Sequence, residues 1–400
     1  MVETSSISQP GSNDWYLDPS PWLSAMRHTS PVFYNEQGEV WHVLRYDDVE
    51  LVLKHFSVFS SEFVGYGSSS KGEESSGTIL SSMLTTDPPL HTKLRNIVSR
   101  SFTPSAIALL EPRIKEIADG LLGTIVPAKG TDMVADYAEP LPITVIAEML
   151  GIPAEDRRKF KQWSDRIVGI AEGQQQPTQD FGENRTNLEL GMYFGKIVEE
   201  RRANPGDDLI SSIVTSEVDG ERLSLREAVS FCILLLVAGN ETTTNLIGNA
   251  VRLFVRHGSF AKLREDSSLL PGAIEEVLRY SSPVRGMFRV AKTDTEISGR
   301  AVPAGQSLMA WIGSANRDEA KFSEPERFDT ERKPNPHIAF GHGIHTCLGA
   351  PLARLEARVA LGSLIKRFRE IKLKVSDDEV EPLRNMVIGG VRHLPTELVQ

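Results

Sequence analysis

One stretch of the chain combines a cysteine with closely spaced glycines. It reads Phe340-Gly341-His342-Gly343-Ile344-His345-Thr346-Cys347-Leu348-Gly349-Ala350 and leads into the helix-like pattern Pro351-Leu352-Ala353-Arg354-Leu355-Glu356-Ala357-Arg358. Glycines allow backbone to approach a flat ligand closely. Cys347 stands just before a helix N-terminus, where free N–H groups and the helix dipole favour a thiolate. The stretch therefore indicates a cysteine whose thiolate could bind a metal ion.

Three interpretations of this cysteine are open from the stretch alone. Cys347 could be a buried structural cysteine beside a helix cap, which is the default for a lone cysteine. His342, His345 and Cys347 could bind zinc, although no fourth ligand is evident at this spacing. Cys347 could also be the sole protein ligand of a haem iron, with the glycines letting the loop lie under the porphyrin.

The composition is that of an ordinary globular chain. Its 400 residues are 40% hydrophobic, which is ample for a buried core, and its net charge of −10 argues against a nucleic-acid or anionic-membrane partner. The two cysteines, Cys232 and Cys347, cannot form a disulfide framework. The N-terminus lacks a signal pattern, and the longest strongly apolar stretch, Phe231 to Gly239, is too short to span a bilayer. We expect a cytoplasmic protein without a membrane partner.

Hydrophobic periodicity predicts a mainly α fold with small β-sheets. Helical spacing dominates from His91 to about Gly258, and after the turn-like pair Pro271-Gly272 a further helix is expected to run to Tyr280. The strand-like pieces are residues 31–34 and 40–44 around a turn, Phe288 to Ala291, and Ser307 to Ile312.

No linker or repeat divides the chain, so we expect a single domain over residues 1–400. Residues 1–30 read as a partly irregular segment. Residues 65–83 are rich in glycine and serine at their start and predict a mobile loop, either a substrate-access lid or a linker.

The pattern Phe340-x-x-Gly343-x-x-x-Cys347-x-Gly349 resembles the haem-binding signature of the cytochrome P-450 superfamily. The resemblance implies the cytochrome P-450 fold, with thiolate-ligated haem b sandwiched between a long central helix and the helix after the cysteine. It implies that Cys347 binds the iron and promotes O–O cleavage, that Phe340 packs near the sulfur, and that N–H groups after Cys347, toward Gly349, tune its electron donation.

A second motif, Ala238-Gly239-Asn240-Glu241-Thr242-Thr243, lies late in an apolar helical pattern that starts near Leu225. Gly239 and the consecutive threonines are unfavourable inside a helix, Gly by about 1 kcal/mol relative to Ala. Threonines that bond back to i−4 carbonyls would explain the pattern structurally. The motif is similar to the superfamily's oxygen-activation motif, in which Ala238 and Gly239 leave room over the haem while Thr242 and Glu241 relay protons. Many members carry Asp at the acidic position.

Two further motifs match the superfamily. Glu276 and Arg279, at i,i+3, would ordinarily be an exposed salt bridge; the resemblance implies a buried structural pair joined by Arg327 of a Pro-Glu-Arg-Phe stretch. His91 and Arg95 share one helix face, which alone predicts a solvated basic face. By resemblance they bind haem propionates, together with two residues elsewhere in the chain, Arg289 and His345. His342 has no derived role.

The resemblance covers residues 15–394 and is strongest to short soluble prokaryotic members, notably the compact thermophilic kind. It implies a monooxygenase that inserts one atom of O2 into an apolar small molecule. The electrons would come from a separate ferredoxin-type donor with its reductase. Two interpretations of Lys93, Arg354 and Arg358 are open: they could dock an acidic ferredoxin, or they could simply be solvated residues on helix surfaces. The alternatives are a peroxygenase driven by hydrogen peroxide and a haem protein that senses a ligand without turnover.

The resemblance also implies an apolar substrate pocket, in which Arg285 would be the charged candidate nearest the haem. The pocket residues are Leu84, Val168, Thr243, Val284, Met287, Val387 and Ile388.

Overall fold

The computed structural model describes residues 10–62, 83–126, 130–168, 183–217 and 220–400, with the backbone alone for residue 168 and residues 183–185. Most of the predicted 65–83 loop and the side chain of Val168 lie outside the described residues. The helices are α1 (Asn13–Leu17), α2 (Ser20–Thr29), α3 (Tyr46–Lys54), α4 (Leu90–Ser99), α5 (Pro104–Ala108), α6 (Glu111–Thr124), α7 (Pro140–Met149), α8 (Arg157–Val168), α9 (Glu183–Ala203), α10 (Leu209–Thr215), α11 (Leu225–Arg256), α12 (Ser259–Glu265), α13 (Leu270–Tyr280), α14 (Ile312–Ala315) and α15 (Ala350–Arg367).

The strands are short and belong to three small sheets, of five, three and two strands. They are β1 (Val32–Asn35), β2 (Val40–Val43), β3 (Phe59–Ser60), β4 (Thr131–Asp132), β5 (Met287–Ala291), β6 (Thr295–Ile297), β7 (Arg300–Val302), β8 (Ser307–Ala310), β9 (Glu370–Leu373) and β10 (Pro395–Val399). The predicted mainly α fold is confirmed.

The chain divides into two compact units. Unit 1 comprises Met1–Phe59, Glu111–Leu141 and Thr242–Gln400, and unit 2 comprises Ser60–Leu110 and Pro142–Glu241. The expected single domain stays a prediction.

Unit 1 contains the main sheet and the helices around the cysteine. The sheet has the order β1-β2-β8-β5-β3, with β2 parallel to β8 and the predicted β1–β2 hairpin antiparallel. Strand β8 ends at Ala310, two residues before the predicted end, because the chain turns into α14. Helix α15 packs on α6 and α13, and the Tyr137 hydroxyl donates to the Ala360 carbonyl at 2.7 Å.

The N-terminal segment is more regular than expected. Residues 10–30, predicted to be partly irregular, contain α1 and α2. The Ser12 hydroxyl caps α1 by accepting from Trp15 N, and proline occupies the first turn of α2. Trp15 is 1% exposed and packs edge-on against Trp311 at 6.2 Å. Burial of this indole fixes the segment, which the polar composition did not reveal.

Unit 2 is built from helices. Helix α9 packs on α8 and α10, and an aromatic cluster joins Phe160, Trp163, Tyr193 and Phe194 at centroid distances of 5.4–5.8 Å. The Asp87 carboxylate accepts from the Ser60 hydroxyl at 2.7 Å and orders the approach to α4.

Helix α11 is the one element of the described residues that is long and apolar enough to cross a membrane. Two thirds (67%) of its most apolar window is buried inside the protein. A buried apolar helix of this kind is what the core of a globular protein requires.

Glu276 is the centre of a buried ion cluster on α13. Its side chain is fully buried and bonds Arg279 at 2.8 Å. The predicted third member was Arg327, and this prediction is wrong. Arg332 takes the place, 3.2 Å from both carboxylate oxygens, whereas the Arg327 side chain is 61% exposed. Only the backbone carbonyl of Arg327 enters the cluster, accepting from Arg279 at 3.1 Å.

Arg332→Gln should lower the free energy of unfolding by about 3 kcal/mol, because it leaves a buried carboxylate with one cation fewer. The matched control is Arg327→Gln, which alters an exposed side chain and should change stability by less than about 0.5 kcal/mol. Urea denaturation of both variants measures the difference. Equal losses would contradict the assignment.

Candidate active site

The cysteine loop, residues 340–349, contains two glycines with positive φ, Gly341 and Gly343. Gly343 has φ +75°, and a Cβ there would lie 2.9 Å from both the Leu53 carbonyl oxygen and Lys54 Cα. The loop is thus pressed against the end of α3. Within it, Cys347 N donates to the Phe340 carbonyl at 2.8 Å.

Cys347 is exposed and reduced, three residues before the start of α15. The other cysteine, Cys232, is 1% exposed in α11, and burial raises the pKa of its thiol. Among the described residues, no group of three His, Cys, Asp or Glu side chains could hold a metal ion, so the zinc interpretation has no support. His342 instead pairs with Glu50 of α3, Nε2 to Oε1 at 3.8 Å.

An ion-pair cluster between α13 and α15 supports the cysteine loop. The Arg354 guanidinium lies 4.4 Å from the centroid of the Phe340 ring and binds both oxygens of Glu275 at 2.7 and 2.8 Å. His337 Nε2 is 2.9 Å from the same carboxylate. Burial would raise the pKa of Glu275, but the Arg354 and His337 hydrogen bonds outweigh it and lower the pKa to about 2.

Helix α11 carries an accessible apolar stripe in a region that is otherwise buried. Leu234 and Leu235 are partly exposed, Ala238 is exposed and Thr242 is partly exposed, at helical spacing along one face. Glu241 is 4% exposed. Within unit 2, a Cβ at Gly239 would meet Ile146 at an ordinary 3.7 Å, so the protein's own packing does not demand glycine there.

Thr243 faces α15. It is 3% exposed and its hydroxyl bonds Glu356, a residue that sequence reasoning missed because a glutamate within a helix pattern gives no signal. Burial raises the pKa of Glu356 well above its ordinary value. The predicted place of Thr243 in the substrate pocket is not supported by this contact.

The four predicted propionate ligands are divided between the units. In unit 2, His91 is 2% exposed on α4 with Arg95 one turn later, and burial and then Arg95 lower the pKa of His91. In unit 1, Arg289 is 2% exposed on β5, its Nη1 2.7 Å from the Phe288 carbonyl, and His345 is partly buried in the cysteine loop. Their shared role stays a prediction.

Several predicted pocket residues do meet in unit 1. Val284 and Ile388 form an antiparallel bridge, and Arg285 N donates to the Val387 carbonyl at 2.7 Å, beside the start of β5 at Met287. Arg285 is predicted to be the charged pocket residue nearest the haem. Its side chain donates a hydrogen bond to the Tyr16 carbonyl at 2.6 Å. In unit 2, Leu84 is 39% exposed on a 3₁₀ turn.

The folded chain is similar over nearly its whole length to known proteins. The family model "Cytochrome P450" matches residues 260–394. The putative cytochrome P450 YjiB of Bacillus subtilis is 44% identical over 94% of this chain and 92% of that protein. The chain belongs to the cytochrome P450 family.

Cytochrome P450 119 of Sulfolobus acidocaldarius is 41% identical over 94% of this chain and 98% of that protein. The crystal structure of CYP109E1 from Bacillus megaterium in complex with testosterone matches with a TM-score of 0.88, 40% identity, and coverage of 96% of this chain and 99% of that one.

Family membership confirms the cofactor and the reaction class. The chain is a haem-thiolate monooxygenase that binds haem b through a cysteine, inserts one oxygen atom from O2 into an organic substrate and receives two electrons from a separate redox partner. The donor set fits this cofactor, because a haem needs a single accessible sulfur from the protein, and Cys347 presents one.

Glu275→Gln should destabilise the protein at pH 7 by about 2 kcal/mol, because it removes charged hydrogen bonds to Arg354 and His337. The pKa of Glu275 is depressed, so its stabilisation is present above pH 4.5 and is lost as the pH falls toward 2. The difference between wild type and variant should therefore shrink over that window.

The measurement is urea denaturation at several pH values. Glu370→Gln, which changes an exposed carboxylate paired with Lys372, is the control. A difference between wild type and Glu275→Gln that stays constant down to pH 2 would contradict the assignment.

Proposed function

We propose that Cys347 is the axial thiolate of a cytochrome P450 that oxidises apolar small molecules. The observation that supports the choice is the contrast between the two cysteines: Cys347 is exposed on a braced loop, whereas Cys232 is buried with a raised pKa. When bound, haem supplies the activation of dioxygen. Phe340 and Gly349 flank the thiolate on the loop.

Thr242 and Glu241 deliver protons to the site of dioxygen activation. Thr242 presents a hydroxyl on the accessible stripe of α11, and the neighbouring Glu241 carries a buried carboxyl group. Ala238 and Gly239 leave room on the same helix. His91, Arg95, Arg289 and His345 hold the propionates as cationic or donor groups.

The substrate contacts the apolar positions Val284, Met287, Val387 and Ile388, with Leu84 and Val168 as further contacts. The first four are supported by their common neighbourhood in unit 1 and their apolar side chains. The testosterone complex of the Bacillus megaterium relative supports an apolar small molecule, of about the size of a steroid, as the substrate class.

Replacement of each cysteine in turn tests the axial ligand. Cys347→Ser should abolish the red-shifted Soret band of the reduced carbon monoxide complex, because that band requires thiolate ligation. Cys232→Ala, the matched control, should retain it. Persistence of the band in Cys347→Ser, or its loss in Cys232→Ala alone, would overturn the proposal.

We further propose a cytoplasmic enzyme with a ferredoxin-type donor and its reductase, and with neither membrane nor nucleic acid as partner. The acidic charge of −10 and the buried α11 support this setting. An acidic ferredoxin needs a local basic surface on so acidic a protein.

The three predicted docking cations all carry partners within their own unit. Lys93 pairs with Glu221, Arg354 with Glu275, and Arg358 with Glu111 at 2.8 and 3.0 Å. Arg354 also braces the cysteine loop, so its replacement would confound docking with folding. Arg358 is 43% exposed and its partner Glu111 is 44% exposed, so the pair can be altered on either side at little cost in stability.

Arg358→Gln should slow reduction by ferredoxin about threefold or more at low salt, because it removes a docking cation. Glu111→Gln frees the same cation and should accelerate the reduction. Stopped-flow reduction at two ionic strengths measures both effects, which should fade at high salt. Changes of the same sign in both variants, or no change in either, would exclude docking at Arg358.

A further inference from the structure

Unit 1 holds a small cleft lined by four arginines. Arg252 and Arg256 come from α11, Arg285 follows α13, and Arg317 follows α14. The turn between α1 and α2 closes the cleft with Asp18. The cavity volume is about 40 Å³, enough for a small anion or a few water molecules.

Three of the arginines are paired with carboxylates that do not line the cleft. Arg252 binds both oxygens of Asp377 at 2.6 and 2.8 Å, and Arg256 lies 3.0 Å from the same carboxylate. Arg317 pairs with Glu326 and donates to the Tyr280 carbonyl at 2.7 and 3.0 Å.

Arg285 is the exception. It is 5% exposed and donates through Nη2 to the Tyr16 carbonyl at 2.6 Å, while Nη1 is buried without a hydrogen-bond partner in the described part of the chain. A Cβ at Gly389 would collide with its guanidinium, so a glycine is needed for this placement. Burial lowers the pKa of Arg285 to about 10, which leaves it protonated at neutral pH.

The charges of the cleft do not balance. Four guanidinium groups face or adjoin three carboxylates, those of Asp18, Asp377 and Glu326, which leaves one positive charge in a protein of net charge −10. Burial would raise the pKa of Asp18, but Arg317, Ser20 and Arg252 lower it on balance, so Asp18 is ionised. Within the described ranges, the guanidinium without a carboxylate partner is that of Arg285, and its Nη1 also lacks a hydrogen-bond acceptor. A buried donor without an acceptor lowers the stability of the folded state.

We propose that this cleft binds a small oxyanion, such as a phosphate or carboxylate group, on the buried guanidinium of Arg285. Guanidinium groups recognise such anions through paired N–H donors. Because the ligand would touch the α1–α2 turn and the loop after α13, its binding links the N-terminal segment to the main body of unit 1. This site is independent of the haem chemistry proposed above.

Thermal unfolding of the holoenzyme with added inorganic phosphate tests the site, with chloride keeping the ionic strength constant. A ligand that binds only the folded state should raise the unfolding midpoint in a saturable way, by about 2 °C or more at high occupancy. Acetate in place of phosphate distinguishes a general oxyanion site from a phosphate site. No saturable rise with either anion would overturn the proposal.

Two variants should move the affinity in opposite directions. Arg285→Gln should weaken phosphate binding at least tenfold. Asp18→Asn removes the competing charge but keeps an acceptor for Ser20 N, which Asp18 now bonds at 3.0 Å, and it should tighten binding about fivefold. Arg300→Gln, on the exposed strand β7, should leave binding unchanged.

If Arg285→Gln does not fold, the Asp18→Asn result decides. Weaker or unchanged phosphate binding in Asp18→Asn would contradict the site, as would unchanged binding in a folded Arg285→Gln.

Discussion

The buried carboxylate of Glu276 is the constraint on which the surroundings of the cysteine depend. A charge with no exposure to water is tolerated only if donors surround it. The donors are Arg279, Arg332, Asn335 and the backbone N–H of Asp329. Because three of them come from the segment just before the cysteine loop, α13 and that segment must fold together. The neighbouring Glu275 then fixes the helix after the loop through Arg354.

This arrangement explains how a thiol can be both accessible and well positioned. The loop has internal backbone hydrogen bonds such as Cys347 N to the Phe340 carbonyl, packs against α3 at Gly343 and contacts Arg354 through Phe340, so the position of the sulfur is fixed by several contacts. Helix α11 also has residues that its own packing does not explain. The packing of the helix does not require Gly239, and its accessible stripe is apolar except for Thr242, so these residues are explained by what binds beside the helix rather than by the stability of the helix.

The elements could be predicted from sequence because they depend on local patterns. The β1–β2 hairpin, the start of α11 at Leu225 and the helix after two prolines at His91 all follow from spacing and turn residues, and the glycine spacing around Cys347 anticipated the tight loop. Helix α13 begins at Leu270, so the pair Pro271-Gly272, predicted to be a turn before the helix, lies in its first turn, where proline is accommodated.

The choice of partners for charged side chains could not be predicted. Arg332 rather than Arg327 reaches Glu276, and the side chain of Arg285 lies on the side of Tyr16 rather than with the apolar pocket residues. Arg327 and Arg332 offer the same chemistry five residues apart, and the direction in which the backbone turns decides which of the two is buried. That direction depends on contacts more than forty residues apart, such as Glu276 with Arg332. A sequence pattern can therefore identify a buried carboxylate that needs cations, but not the cation that reaches it.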